Sequence, residues 1–179
     1  QGQYRPNELY GVENQFRLAP AERLDFTAGL AAEHENLAQN LASSYSGDPL
    51  VKPPAPGAPG MVSNDLLSLY VQARYGFTEE LKLTAGVRHD SSSSYGKVDT
   101  PRAGLVYNRA GTTLKLLYGE AFRAPRPWDY TYGLGNPSLD PEKLYSLELS
   151  GAYAFSSNLR GDVSLYRNRL SGPLTLSGN

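Results

Sequence analysis

The sequence predicts an all-β chain of about eight up-and-down strands, part of the wall of a larger transmembrane antiparallel β-barrel. Three observations carry this reading: side chains alternate in polarity with a period of two, the alternating stretches are long, and short connections take turns with long ones. A strand sends successive side chains to opposite faces, so a period of two is its signature. Stretches of roughly 9–13 residues exceed the usual strand of about 5–6 and suit a tilted membrane strand of about 9–11.

Composition removes the main competitors. The 179 residues are 40% hydrophobic, with 13 Tyr and 18 Gly, and mean hydropathy is −0.46. No run approaches the roughly 20 apolar residues of a membrane-spanning helix. Lys and Arg number 17 against 18 Asp and Glu, a net charge of −1, so there is no basic field for nucleic acid. With no Cys and two His, disulfide frameworks, zinc modules and thiol nucleophiles are excluded, and no metal site or cofactor is expected. The chain opens in polar residues at Gln1 with no apolar segment behind a basic one, so either a leader has been removed or the chain begins inside something longer.

The strands follow in order. The stretch 8–17 is a weak candidate. In 24–34, Leu24, Phe26, Ala28, Leu30 and Ala32 oppose Asp25, Thr27, Gly29, Ala31 and Glu33. In 65–77, Leu67, Leu69, Val71, Ala73, Tyr75 and Phe77 oppose Leu66, Ser68, Tyr70, Gln72, Arg74 and Gly76. In 81–90, Leu81, Leu83, Ala85 and Val87 oppose Lys82, Thr84, Gly86, Arg88 and Asp90. After a weaker candidate at 101–108, 113–122 sets Leu114, Leu116 and Tyr118 against Lys115, Leu117, Gly119 and Ala121. In 143–155, Tyr145, Leu147, Leu149, Gly151, Tyr153 and Phe155 share one face; 159–169 closes the series weakly.

Between them, short turns at 18–22, 78–80, 109–112 and 156–158 alternate with long segments at 37–62, 90–98 and 123–142. Consecutive antiparallel strands turn at opposite rims, so all the long connections fall at one end, as in barrels with brief periplasmic turns and extended external loops. Phe16, Phe77, Tyr107 and Phe155 sit beside short turns, the place of a periplasmic aromatic girdle. Tyr10, Tyr118, Phe122 and Tyr145 lie toward the opposite rim. Pro, Gly and Ser crowd 37–62 and mark a loop, with Leu37, Ala38 and Leu41 permitting a helical turn at its start.

The inward face carries Glu33, Glu35, Arg74, Lys82, Arg88, Arg102 and Lys115. Acid–base pairs can be drawn among them, but a polar lumen accounts for such charges without catalysis, and no GxSxG, P-loop, HExxH or calcium-loop spacing is present. No enzyme is expected. His34 and His89 fall at the external rim, where an interfacial histidine needs no ligand role. The segment 119–142, GEAFRAPRPWDYTYGLGNPSLDPE, stands apart. Arg123, Arg126, Trp128, Tyr130 and Tyr132 are the residue types of a recognition surface, rigid aromatics with guanidinium groups for anionic partners. Arg123 and Glu142 also read simply as a tie between loop and rim.

These residues resemble the TonB-dependent receptors of Gram-negative outer membranes. The resemblance rests on Gly119, Glu120, Ala121, Phe122, Arg123, Ala124 and Pro125, then Gly135, Asn136, Pro137, Leu139, Pro141 and Glu142, with Glu148 in the next strand. Ala85–Gly86–Val87–Arg88 with His89 and Asp90, and Pro101 to Tyr107, extend it over most of the chain.

The resemblance implies a barrel of about 22 strands with a plugged lumen, of which residues 1–179 supply about eight; the plug domain and C-terminal strands are expected to be absent. A closed eight-stranded barrel is the alternative, but its inward glycines would leave the interior underfilled. The implied function is TonB-energised uptake of a ferric siderophore or similar scarce nutrient complex, with outer-membrane lipid, the small-molecule ligand, TonB and the plug as partners and the cell outer membrane as location. Haem-uptake members carry a histidine between the two loop elements; 126–135 has none, and Ser138 replaces a second Asn, which disfavours haem. Cobalamin or another nutrient is the runner-up, with a passive porin-like barrel and a soluble β-protein as the other classes.

Overall fold

The computed structural model describes residues 2–4, 7–39, 42–44, 60–126, 129 and 139–172. Ten strands are found among them: β1 (Gly2–Tyr4), β2 (Asn7–Ala21), β3 (Leu24–Ala38), β4 (Ala42–Ser44), β5 (Met61–Gly76), β6 (Leu81–Ser92), β7 (Gly96–Arg109), β8 (Thr112–Arg123), β9 (Glu142–Ala154) and β10 (Arg160–Ser171). Short β1 and β4 pair with each other, and the remaining eight form one antiparallel sheet in the order β10-β9-β8-β7-β6-β5-β3-β2. Every neighbour in that sheet is also the neighbour in sequence among the long strands. The sheet is open, with β2 and β10 as its edges, so it is a partial barrel wall.

Nothing in this sheet resembles a globular core. Among the described residues of its strands the buried apolar side chains are Ala31, Ala38 and Val98, while Leu149, Leu165 and, just past β9, Phe155 stand 53%, 66% and 64% exposed. In water such a surface would be a liability; against lipid it is the apolar band of a membrane barrel. Register makes the band continuous. Ala21 pairs with Leu24, and the same row passes through Tyr75, Leu83, Leu105, Leu116, Leu149 and Leu165. This outward row begins at the first residue of β3 and ends well inside β10. That stagger is the shear of strands tilted against a barrel axis.

All eight long strands fall where alternation predicts them, but each runs to 12–16 residues. The strict rhythm of short and long connections fails at 90–98. There β6 and β7 continue to pair as far as Ser92 opposite Gly96, joined by a tight turn at 93–95, with Gly96 at φ +79°. The serines past Asp90 lack polarity contrast, yet the ladder needs only backbone groups and continues through them. Leu37 and Ala38 likewise belong to β3, opposite Val62 and Met61, and make no helical turn; Leu41 lies outside the described residues. At 18–22 the strand persists to Ala21, accommodating Pro20 at a register shift between Leu18 and Ala21, because a bulge tolerates a residue without a backbone donor.

Two of the short turns share one design. Tyr75 and Phe77, and likewise Tyr153 and Phe155, meet edge to face at 5.0 Å between ring centroids. In both turns the phenylalanine N–H and the next N–H donate to one leucine carbonyl, Leu81 (3.0 and 3.3 Å) or Leu159 (2.9 and 3.2 Å). Thr78 Oγ1 accepts from the N–H groups of Glu80 and Leu81, and Ser156 Oγ from that of Asn158. A Tyr-x-Phe-Ser/Thr-x-x-Leu sequence thus closes the hairpin and plants an aromatic pair at its rim. The turn at 110–111 uses positive φ at both Ala110 and Gly111, the geometry that matches strand twist in a two-residue hairpin.

Candidate functional site

The face opposite the apolar rows is polar and closely wired. Near the short-turn end, Asp25 accepts from Arg74 (Nε, 2.9 Å) and from Arg17 (3.3 Å), tying β2, β3 and β5 together. Midway, Tyr70 crosses from β5 over β3 to donate to Glu13 on β2 at 2.8 Å. Tyr70, Glu13, Gln15, Arg88, Thr100 and Arg102 border a cleft of about 330 Å³. Of the inward charges predicted from sequence, Arg88 and Arg102 line this cleft, Arg74 and Lys82 border another at the short-turn end, and Glu35 joins the rim network.

That network lies toward the long-loop end. Arg88 Nε donates to both carboxylate oxygens of Asp90 (2.9 and 3.1 Å) and Nη2 to Ser68 (2.9 Å), while Ser68 Oγ donates to Asp90. Asp90 is 1% exposed and Ser68 fully buried. Above them, Asn64 donates to Glu35 (2.9 Å) and accepts from Ser92 Oγ and the Ser94 N–H. The 93–95 turn is therefore bound to the wall. Burial, with the Asp90 carboxylate second in weight, pushes the Tyr95 phenol above its ordinary pKa, and the Tyr95 ring packs at 5.7 Å against Phe122. Sequence reasoning placed Ser68 and Asp90 on this face without joining them and missed Asn64; the signal was Asp90 two residues beyond Arg88 on one strand face.

The histidines do something else. His34 lies 2.7 Å from Asp65, and His89 2.7 Å from Asp99. Each pair sits directly across two strands and exposes both members. They line up with the outward residues Leu30, Leu67 and Val87, so they top the apolar face. Among the described residues no cluster of three His, Cys, Asp or Glu could hold a metal ion.

The connection after β8 begins with an ion pair, Arg123 Nε to Glu142 at 2.7 Å, its carboxylate nearly buried. These residues oppose each other at the head of the β8–β9 ladder and close the base of the loop. Phe122 lies just below in β8, Ala124 is half-buried and Pro125 buried. Arg126 then clasps Asp129 through Nη2 and Nε (3.0 and 3.2 Å), while the backbone N–H of Arg126 donates to Asp129 Oδ2 and that of Asp129 to the Arg126 carbonyl. The guanidinium holds the Asp129 carboxyl below its ordinary pKa. Trp128, Tyr130, Tyr132, Asn136 and Pro137 lie outside the described residues. Leu139 and Pro141 are half-buried where the chain returns, and Glu148 sits on the inner face opposite Leu117 and Tyr166.

Comparison with known proteins agrees with this geometry. Crystal structures of the siderophore receptor PirA from Pseudomonas aeruginosa (TM-score 0.71, 23% identity, 90% of this chain and 31% of that one) and of a mutant ferric enterobactin receptor PfeA from the same species (TM-score 0.73, 18%, 92% and 27%) superpose on the sheet. So does the copper transporter OprC (TM-score 0.71, 14%, 92% and 30%). The iron-regulated outer membrane virulence protein of Vibrio cholerae is 25% identical over 169 residues, 88% of this chain. The chain spans about a quarter of the length of that relative, 24%. The family model "TonB dependent receptor-like, beta-barrel" matches residues 2–179, and the chain belongs to that family.

Proposed function

We propose that the chain is part of the barrel wall of an outer-membrane receptor in a Gram-negative bacterium, one that takes up a ferric siderophore or similar scarce nutrient complex by TonB-energised transport. In this reading residues 1–179 supply a run of strands, while the plug and the remaining strands belong to other parts of the protein. The observation that carries it is the union of an outward apolar band with a hydrogen-bonded polar face, beneath a loop whose base is locked by Arg123–Glu142. A passive pore needs no such loop.

Arg123, Arg126, Trp128, Tyr130 and Tyr132 are the proposed ligand contacts. In the described part, Arg123 and Arg126 are held by Glu142 and Asp129, so they present oriented donors and leave the aromatics as the main contact area. Iron cargo is favoured because the relatives named for a cargo or a regulator are mostly iron-linked; the copper transporter shows that cargo varies on this fold. The test is uptake of labelled ferric siderophores, with cobalamin as comparison, by cells producing the complete receptor. Trp128→Ala should weaken uptake at unchanged receptor level. Unchanged affinity removes Trp128 from the site, and cobalamin uptake in place of iron overturns the cargo.

A further inference from the structure

Two interior strands of the wall part company before they end. β7 and β8 pair from Arg109 opposite Thr112 up to Arg102 opposite Gly119 and no further, although β7 reaches back to Gly96 and β8 runs on to Arg123. Each stays paired on its far side, β7 with β6 as far as Gly96 opposite Ser92 and β8 with β9 as far as Arg123 opposite Glu142. The seam between them is open toward the long-loop end.

Pro101 sits at the fork. Asn108 gives its N–H to the Glu80 carbonyl on the β6 side, and donors alternate sides along a strand, so the odd-numbered residues of β7 aim theirs at β8. Pro101 has no N–H to give, and the bond it would make to Glu120 is lost. Pairing does not resume at Asp99 and Phe122, the next residues that would exchange bonds. A proline within a sheet is ordinarily confined to an edge; here it makes one.

The two sides of the seam are tied to different parts of the wall. The 93–95 turn, at the tip of β6 and β7, is held by β5: the Ser93 N–H donates to the Asp65 carbonyl (2.9 Å), the Asp65 N–H to Ser93 Oγ (2.9 Å) and the Ser94 N–H to Asn64 (3.2 Å). β8 and β9 carry the Arg123–Glu142 pair at the base of the 123–142 loop. Among the described residues no ladder pair, side-chain hydrogen bond or ion pair crosses the seam above Arg102. A ring contact does, Tyr95 against Phe122 at 5.7 Å and a tilt of 51°. At the fork itself a Cβ on Gly119 would meet nothing within 4 Å, so no side chain packs over the pivot.

We propose that this seam is a hinge built into the barrel wall: the base of the 123–142 loop swings about Arg102–Gly119 against the 93–95 turn, and Tyr95–Phe122 is the latch. The strands below the fork keep their register as it moves. The hinge stands on the pairing of β7 and β8, whereas its use in capturing cargo rests on the receptor reading, and the test needs no cargo.

The complete barrel, free of other cysteines, is folded into phosphatidylcholine vesicles with nitroxide labels at Lys97→Cys and Lys143→Cys, one on each side of the seam. Folding is read by heat-modifiable electrophoretic mobility and the label separation by pulsed electron resonance. The parent should show two separations. Pro101→Val, which restores the donor, should leave the shorter one, and Phe122→Ala should shift the population toward the longer. In the unlabelled barrel the Phe122 amide should exchange hydrogen at least about tenfold faster than that of Leu116, which aims at the same neighbour from within the ladder, and Pro101→Val should remove most of that difference. A single parent separation that neither variant moves overturns the hinge, as does equal protection of Phe122 and Leu116. Phe122→Ala only removes a ring, so an unmoved distribution in that variant overturns the latch even where Pro101→Val does not fold.

Discussion

Tyr70 lies directly over Gly29: a Cβ at position 29 would stand 2.1 Å from Tyr70 Cζ, and that vacancy lets the phenol span β3 and reach Glu13. Gly86 is tight for a different reason. A Cβ there would meet the Val71 carbonyl oxygen at 2.7 Å and Gln72 Cα at 3.1 Å. A ring can swing away; a paired backbone cannot. Gly86→Ala should therefore destabilise the barrel by about 1–3 kcal/mol, the usual range for overpacking, and Gly29→Ala by less. Gly29→Ala should be nearly neutral when Tyr70 is already Ala. Urea unfolding of the complete barrel in vesicles measures both; a larger loss for Gly29→Ala than for Gly86→Ala reverses the argument.

The apolar row gives the second prediction. Leu116 and Leu149 pair with each other in the outward row and are 45% and 53% exposed. Either changed to Arg should cost about 2–4 kcal/mol near the midplane. Thr84, opposite Arg74 and Gly104 on the inner face, should accept Arg with little loss. Equal tolerance at the three positions would sink the assigned faces.

Alternation made the faces and strands legible because lipid and lumen demand opposite side chains at every step between Leu24 and Leu165. It stopped where that demand stops. Past Asp90 both faces are polar, so the ladder through Ser91 and Ser92 and the turn before Gly96 left no contrast in the sequence, and a hairpin read as a long loop. The rim network was hidden for a related reason. Asp90 and Ser68 look like ordinary lumen residues one strand at a time, and only the register that sets Ser68 opposite Asp90 shows them as partners. Trp128, Tyr130 and Tyr132 are proposed as ligand contacts from residue type alone and lie outside the described residues.

A pH dependence follows from the clasp at the loop base. The Arg126 guanidinium holds the Asp129 carboxyl below its ordinary value of 3.8. A lowered folded pKa means the unfolded state takes up its proton first. The clasp therefore contributes fully above about pH 3.8 and is lost as pH falls through the lower folded value. Trp128, the single tryptophan of the chain, reports on it. In a receptor with no other tryptophan, emission should stay flat from neutral pH to about 3.8 and change only below that. Asp129→Asn should show the acid spectrum at every pH; a transition near neutrality would assign the change to another group.

The Ser68–Asp90–Arg88 triad carries the last prediction, because it fixes the wall beneath the 93–95 turn. Asp90 is closed off from solvent while Arg88 keeps a side chain 43% exposed, so removing the carboxylate strands Ser68 more than the arginine, which can turn toward water. Asp90→Ala should destabilise the barrel by about 1–3 kcal/mol, the cost of leaving a buried polar group unsatisfied. Asp90→Asn keeps an acceptor for Ser68 and Arg88 and should lose less. The loss should also spread upward: Ser94 and Tyr95 backbone amides, held by Asn64 and Ser92, should exchange hydrogen faster in Asp90→Ala. If exchange in the turn is unchanged while global stability falls, Asp90 supports the sheet but not the turn. If neither moves, the triad has no role in holding the rim.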